Sequence, residues 1–190
     1  ISLFVIGEYK MPALLNHIDP NGLEEFSVVF TDRSLNHMSK EFQKVMCDLS
    51  SNLKEVYNAN AVVLVPGGGT FAMEAVARQF GTEANVMVIR NGWFSYRWSQ
   101  IFESSSNARS TTVLKARMIG NETLAPFRPA EVDEVIKKIK ADKPDIVFAP
   151  HVETSAGVIL PDDYIKKVSA AAHDVGALMV LDCIASGCVW

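Results

Sequence analysis

The sequence predicts an α/β fold: a mainly parallel sheet with helices on both faces, in three αβα layers. Three observations predict it. Short apolar runs alternate with helical patterns from Ala61 to Asp182. The helical stretches carry apolar residues at three- and four-residue steps, as in Val132, Val135, Ile136 and Ile139. Glycine, proline or asparagine marks the junctions, most plainly in the triple glycine Gly67–Gly69. Steady strand–helix–strand alternation gives such a sheet, and its ligands sit beyond the C-terminal ends of the strands.

The elements follow in order. Residues 1–30 have turn residues at Pro12, Asp19-Pro20 and Asn21-Gly22 and no sustained period, so residues 1–35 read as an N-terminal arm and residues 36–190 as the sheet domain. His37–Tyr57 is a helix, with Phe42, Val45, Met46, Leu49, Leu53 and Val56 on one face. Ala61–Val65 is a strand and Thr70–Phe80 a helix that stops at Gly81. Asn85–Ile89 is the next strand, Asn91-Gly92 a turn, and Trp93–Phe102 an aromatic-rich helix. Thr111–Lys115 is a strand, Ala130–Ala141 a helix with lysines on its outer face, and Asp145–Ala149 a strand. Pro161 opens a helix with Asp162 and Asp163 in its first turn, where the helix dipole favours acids; it runs to about Val175, and Gly176 closes it. Leu178–Leu181 is the last strand and ends on Asp182.

Bulk properties exclude several classes. A chain of 190 residues can bury one substantial core. Its formal net charge of −4, with no basic tract, argues against nucleic acid as a partner. No apolar run approaches the roughly 20 residues of a membrane helix. Cys47, Cys183 and Cys188 are odd in number and lack zinc-site spacing; they read as reduced thiols, which places the expected location in the cytoplasm or an organelle matrix. The chain opens on Ile1 and closes on Cys188-Val189-Trp190, so it reads as a piece of something longer.

The segments after the strands hold the candidate chemistry. In VVLVPGGGTFAMEAVARQF a strand turns through glycines into a helix. Free backbone N–H groups and a positive helix end at that point suit an anion, above all a phosphate, and Thr70 can cap the helix and offer a hydroxyl. The stretch lacks the ending of a nucleotide P-loop and the spacing of a dinucleotide fingerprint, and a turn needed only for tight packing is its plain alternative. Asp182 follows LMVL at a strand end. It either caps the following loop or partners a protonated ring nitrogen, the arrangement pyridoxal phosphate needs. On the second reading Phe94 faces the ring, Thr154 bonds the ring oxygen, and Ile184 presses the opposite ring face. Phe94 as an ordinary core aromatic and Thr154 as a locally bonded hydroxyl are the alternatives. His151 and Glu153 read as hydrogen-bonded structural residues, Arg97 as a brace for the aromatic segment, and Cys183 and Cys188 as small buried residues. No metal site is expected.

PGGGTFAME, NGWFSYR, HVETSAGVILP and VLDCIASG, in this order, resemble the class V aminotransferases of pyridoxal phosphate fold type I. The likeness is nearest to the alanine–glyoxylate and serine–pyruvate aminotransferase branch and runs from about Asp32 to Trp190. It implies the large domain of a pyridoxal-phosphate-dependent transferase. It also implies phosphate contacts from Gly68, Gly69 and Thr70, stacking by Phe94, a ring-oxygen contact from Thr154, a ring-nitrogen carboxylate at Asp182 and an aliphatic cover at Ile184. In the family the lysine that takes the cofactor's aldehyde lies about two dozen residues beyond that aspartate, and the arginine that grips the substrate carboxylate lies in a C-terminal domain. Residues 1–190 alone are therefore not expected to transaminate.

The implied reaction moves an amino group from a small amino acid, alanine or serine, to an oxo acid, glyoxylate or pyruvate, in a homodimer. Two alternatives stand beside it. One is a lyase, desulfurase or phosphonate-linked transaminase on the same scaffold, although Phe94 stands where a desulfurase needs histidine. The other is a non-catalytic phosphate- or nucleotide-binding α/β module.

Overall fold

The computed structural model describes residues 37–187. The expected N-terminal arm, Cys188 and Trp190 lie outside the described residues. The chain divides into two compact units, Ile1–Leu64 and Val65–Trp190.

In the first unit, α1 (Lys40–Val56) starts at Ser39, whose Oγ accepts the Phe42 N–H at 3.0 Å. Glu41 in its first turn and Lys54 in its last both complement the helix dipole. Val45, Leu49 and Val56 of its apolar row are exposed.

One expectation fails at the end of this unit. Ala61–Val65 forms no strand. A run of β-branched residues becomes a strand only where a neighbour takes its N–H and C=O groups, and no strand among the described residues pairs with it. Val63 is 82% exposed.

The second unit begins with α2 (Gly69–Gly81) and then alternates as the sequence predicts: β1 (Asn85–Arg90), α3 (Trp93–Ser105) and β2 (Ser110–Lys115). A small hairpin of β3 (Arg117–Met118) and β4 (Phe127–Arg128) follows, then α4 (Val132–Asp142) and β5 (Ile146–Pro150). A second small hairpin, β6 (Val152–Glu153) and β7 (Val158–Ile159), precedes α5 (Asp162–Asp174) and β8 (Leu178–Asp182). Neither hairpin was visible as periodicity, because two-residue strands carry none.

The main sheet runs in the order β2-β1-β5-β8 and all its pairings are parallel. Alternate residues of the central strands feed opposite layers. Met87, Ile89, Val147 and Ala149 pack under α4 and α5 with Val135, Ile139, Val168 and Ala172. Val86, Val88, Ile146 and Phe148 pack under α2 and α3 with Ala77, Trp98, Ile101 and Phe102. Phe148 anchors the second layer, with ring centroids 4.5 Å from Trp98 and 5.4 Å from Phe102. Gly81 lets Phe102 approach; a Cβ there would lie 2.5 Å from Cε1 of the ring.

The chain leaves β1 toward β2 by way of α3 and returns past β1 to β5 by way of α4, on the other face. Reversing direction while changing face is what right-handed crossovers require. The reversal opens a crevice between the C-terminal ends of β1 and β5. The loops that carry the candidate chemistry meet there and at the neighbouring end of β8.

Candidate functional site

Gly69, Thr70, Met73, Phe94, Arg97, Asp182, Ile184 and Ala185 line one pocket of about 350 Å³. These residues come from the start of α2, the start of α3 and the end of β8 with its turn. Five of the seven predicted contact residues are therefore together: Gly69, Thr70, Phe94, Asp182 and Ile184. Gly68 and Thr154 are outside the lining. Gly68 is the residue just before α2, and Thr154 is exposed in the turn between β6 and β7.

The glycine turn is built for close approach. Gly67 has φ +126°, a conformation that an L side chain rarely adopts. A Cβ on Gly69 would come within 2.6 Å of the Ile184 Cδ1, so the bare backbone of the first turn of α2 forms that wall. Gly68 offers α2 no side-chain cap. The Phe71 N–H bonds the Gly68 carbonyl at 2.9 Å, and the Gly69 and Thr70 N–H groups have no acceptor among the described residues. These are the donors a helix start leaves over, and they lie at its positive end.

Arg97 braces a different partner from the one expected. Its Nη1 donates to the Thr70 Oγ1 at 2.6 Å, tying α3 to the glycine turn rather than steadying the aromatic segment. Its buried Nε has no partner among the described residues. The pocket wall thus carries one guanidinium beside the free N–H groups.

The second predicted charge is half-buried. The Asp182 Oδ1 accepts the Ile184 N–H at 3.1 Å, so the carboxylate closes its own turn while lining the pocket. The loop cap expected as one alternative for Asp182 is present, and it leaves the carboxylate on the pocket wall. Ile184 is 70% exposed and its side chain stands over Gly69. Cys183 between them is half-buried rather than fully buried, and burial pushes its thiol up, opposed by a hydrogen bond with Ser186 and reinforced by the Asp182 charge.

The loop after β5 holds the least expected feature. His151 is hydrogen-bonded, but not locally: its Nδ1 lies 2.8 Å from the Ser186 Oγ, in the turn after β8. Glu153 is bonded to the start of α3, on the other side of the crevice between β1 and β5. It is fully buried, and its oxygens accept the Phe94 N–H at 3.1 Å, the Ser95 N–H at 2.9 Å and the Ser95 Oγ–H at 2.6 Å. The Ser155 Oγ–H, at 2.5 Å, completes the set. Burial pushes the Glu153 carboxyl up, but the hydrogen bonds from Ser155, Ser95 and Phe94 outweigh it and hold the group below the usual carboxylate range. Sequence reasoning missed this role, along with Met73 and Ala185 in the lining; no spacing rule links Glu153 to backbone 58 and 59 residues away.

A pocket with open helix-start N–H groups, a hydroxyl, a guanidinium, an aromatic ring and a carboxylate suits a flat anionic heteroaromatic group. The pocket lies beyond the strand ends, where parallel α/β sheets bind their ligands. The class V aminotransferase model matches residues 23–187, and the chain belongs to that family of pyridoxal-phosphate-dependent enzymes.

Among its relatives, the chain is 27% identical over 157 residues to a 2-aminoethylphosphonate–pyruvate transaminase of Bacillus cereus, covering 82% of this chain and 41% of that protein. It is 26% identical over 157 residues to the alanine–glyoxylate aminotransferase of Rattus norvegicus, covering 81% and 35%. The fold matches that of ureidoglycine–glyoxylate aminotransferase from Bacillus subtilis with a TM-score of 0.63 at 22% identity, over 93% of this chain and 38% of that one. The chain thus spans about two fifths of the length of the proteins it matches.

Proposed function

We propose that this segment is the cofactor-holding part of an aminotransferase that moves an amino group from alanine or serine to glyoxylate or pyruvate. The observation that carries the reading is the convergence of Gly69, Thr70, Phe94, Asp182 and Ile184 on one pocket from three separate places in the chain.

The residues present fit pyridoxal phosphate. The unpartnered N–H groups of Gly69 and Thr70, the Thr70 hydroxyl and the Arg97 guanidinium would take the phosphate, with Gly68 contributing from just before the helix. Phe94 and Ile184 would enclose the ring, and Asp182 would hold a proton on its nitrogen. Thr154, outside the pocket lining, would serve the ring oxygen from the neighbouring turn. When bound, the cofactor supplies an electron sink for charge developing at the amino acid's Cα. The sink is strongest while the ring nitrogen stays protonated, and a carboxylate at position 182 would favour that proton. A lysine elsewhere in the full-length protein would take the aldehyde and carry the Cα proton.

The phosphonate-linked transaminase relative, at 27% identity against 26% for the alanine–glyoxylate enzyme, favours a second donor class, an aminoalkylphosphonate in place of the amino acid. The reading also includes a homodimer, which a mass measurement in solution tests.

The experiment is Asp182→Ala in the full-length protein, with turnover and cofactor occupancy measured together. Turnover is expected to fall roughly a hundredfold or more while the cofactor is retained. Unchanged turnover overturns the role given to Asp182. Substrate class follows from comparing alanine, serine and 2-aminoethylphosphonate as donors, with rates highest for alanine or serine.

A further inference from the structure

We propose that Glu153 is a positioning residue for the cofactor: its buried carboxylate fills the crevice between β1 and β5 and fixes Phe94 and Thr154 by locking the start of α3 to the β6–β7 hairpin. The proposal rests on the pyridoxal phosphate reading above.

The two helix starts on this side of the sheet are finished in opposite ways. The start of α2 leaves the Gly69 and Thr70 N–H groups unpartnered among the described residues. The start of α3 leaves nothing over. The Asn91 and Gly92 N–H groups bond the Ser95 Oγ at 2.8 and 3.1 Å, and the Trp93 N–H bonds the Ser155 Oγ at 2.9 Å. The Phe94 and Ser95 N–H groups bond the Glu153 carboxylate, and the Tyr96 N–H bonds the Gly92 carbonyl at 3.0 Å. An exogenous anion therefore has one helix start to bind, not two.

A local cap would have closed α3 more simply. Position 92 is glycine and offers no side chain, so the acceptors for the Trp93, Phe94 and Ser95 N–H groups come from the far side of the crevice. The glycine is what admits them: a Cβ there would lie 2.5 Å from the Ser155 Oγ, 2.7 Å from the Glu153 Cγ and 2.8 Å from its Cδ. A buried carboxylate with no ion pair among the described residues is costly unless hydrogen bonds and a helix dipole meet it, and here both do.

The two residues that this lock controls are those assigned to the ring. Phe94 gives its own N–H to Glu153, so the carboxylate sets the backbone from which the ring-facing side chain projects. Thr154 lies between Glu153 and Ser155, and both neighbours are tied to α3. One carboxylate thereby fixes the spacing of two contacts carried on different loops.

The test is a double-mutant cycle on cofactor affinity in the full-length protein, using Glu153→Gln, Phe94→Ala and both together. Pyridoxal phosphate dissociation constants are read by absorbance or fluorescence titration, and melting temperature tracks folding. Glu153→Gln presents an N–H where an acceptor is needed and is expected to weaken cofactor binding roughly tenfold. The double variant is expected to lose less than the sum of the two single losses, because the Phe94 contact is counted once and only the Thr154 contact remains for Glu153→Gln to disturb. Additive losses, or unchanged affinity in Glu153→Gln, overturn the proposal. Should Glu153→Gln not fold, Ser155→Ala removes two bonds of the lock, to the Trp93 N–H and to the Glu153 carboxylate, and is read in the same cycle by the same criteria. A wild-type protein that does not bind pyridoxal phosphate overturns the underlying reading as well. Normal wild-type binding with an additive cycle overturns only the positioning role.

Discussion

Gly69 illustrates how a single missing methyl can serve a site more than a fold. The nearest atom to a Cβ there is the end of a flexible isoleucine, 2.6 Å away, and position 69 opens a helix, where alanine is well tolerated. Gly69→Ala is expected to alter stability by less than about 1 kcal/mol yet weaken phosphate-dependent cofactor binding several-fold by displacing Ile184 and filling the cradle. Thermal melts and a cofactor titration separate the two effects; a large stability loss with unchanged affinity contradicts the assignment. Phe94→Ala should likewise loosen the cofactor, by the roughly 0.5–1.5 kcal/mol of a lost aromatic contact, and an unchanged dissociation constant argues against stacking.

Glu153 also makes a pH prediction at this scale. Its carboxyl is held below the usual range in the folded state, so the ionised form is the one that folding favours. Its contribution is fully present above the unfolded-state value of about 4.3 and is lost as pH falls through the lower folded value. The difference in melting temperature between wild type and Glu153→Gln should be constant near neutrality and shrink in acid. A difference that grows on acidification contradicts the bonding described.

At the scale of elements, legibility followed the range of the interaction. α4 and α5 were readable because their apolar rows and end residues are local, and each boundary moved by only one or two residues. α2 was expected from Thr70 and begins at Gly69. The run from Ala61 to Val65 shows the opposite case: its composition says strand, but a strand needs a partner that composition does not name. Site residues divide in the same way. Thr70, Phe94, Asp182 and Ile184 were visible because each follows a strand or glycine turn that aims it at one end of the sheet. The Arg97–Thr70 bond and the Glu153 lock were not, because their partners lie 27 and 58 to 59 residues away. Arg97 reads as a brace and Glu153 as a hydrogen-bonded structural residue, and only the structure names their partners.

At the scale of the molecule, the second unit has its topology decided by one reversal of chain direction beside β1. Loops from β1, β5 and β8 then reach a common edge, and the hydrophobic layers on either side hold that edge still. Phe148 is fully buried between Trp98 and Phe102; Phe148→Ala should cost about 3–5 kcal/mol and lower the melting temperature without selectively affecting the cofactor. The chain belongs to the class V aminotransferase family, and its span of about two fifths of a relative's length holds the residues proposed for the cofactor.

The most direct measurement is a crystal structure of the full-length protein soaked with pyridoxal phosphate. The account predicts phosphate density on the Gly69 and Thr70 N–H groups, the ring between Phe94 and Ile184, and its nitrogen at the Asp182 carboxylate. Density for the cofactor seated away from these residues, or with its nitrogen facing no carboxylate, contradicts it.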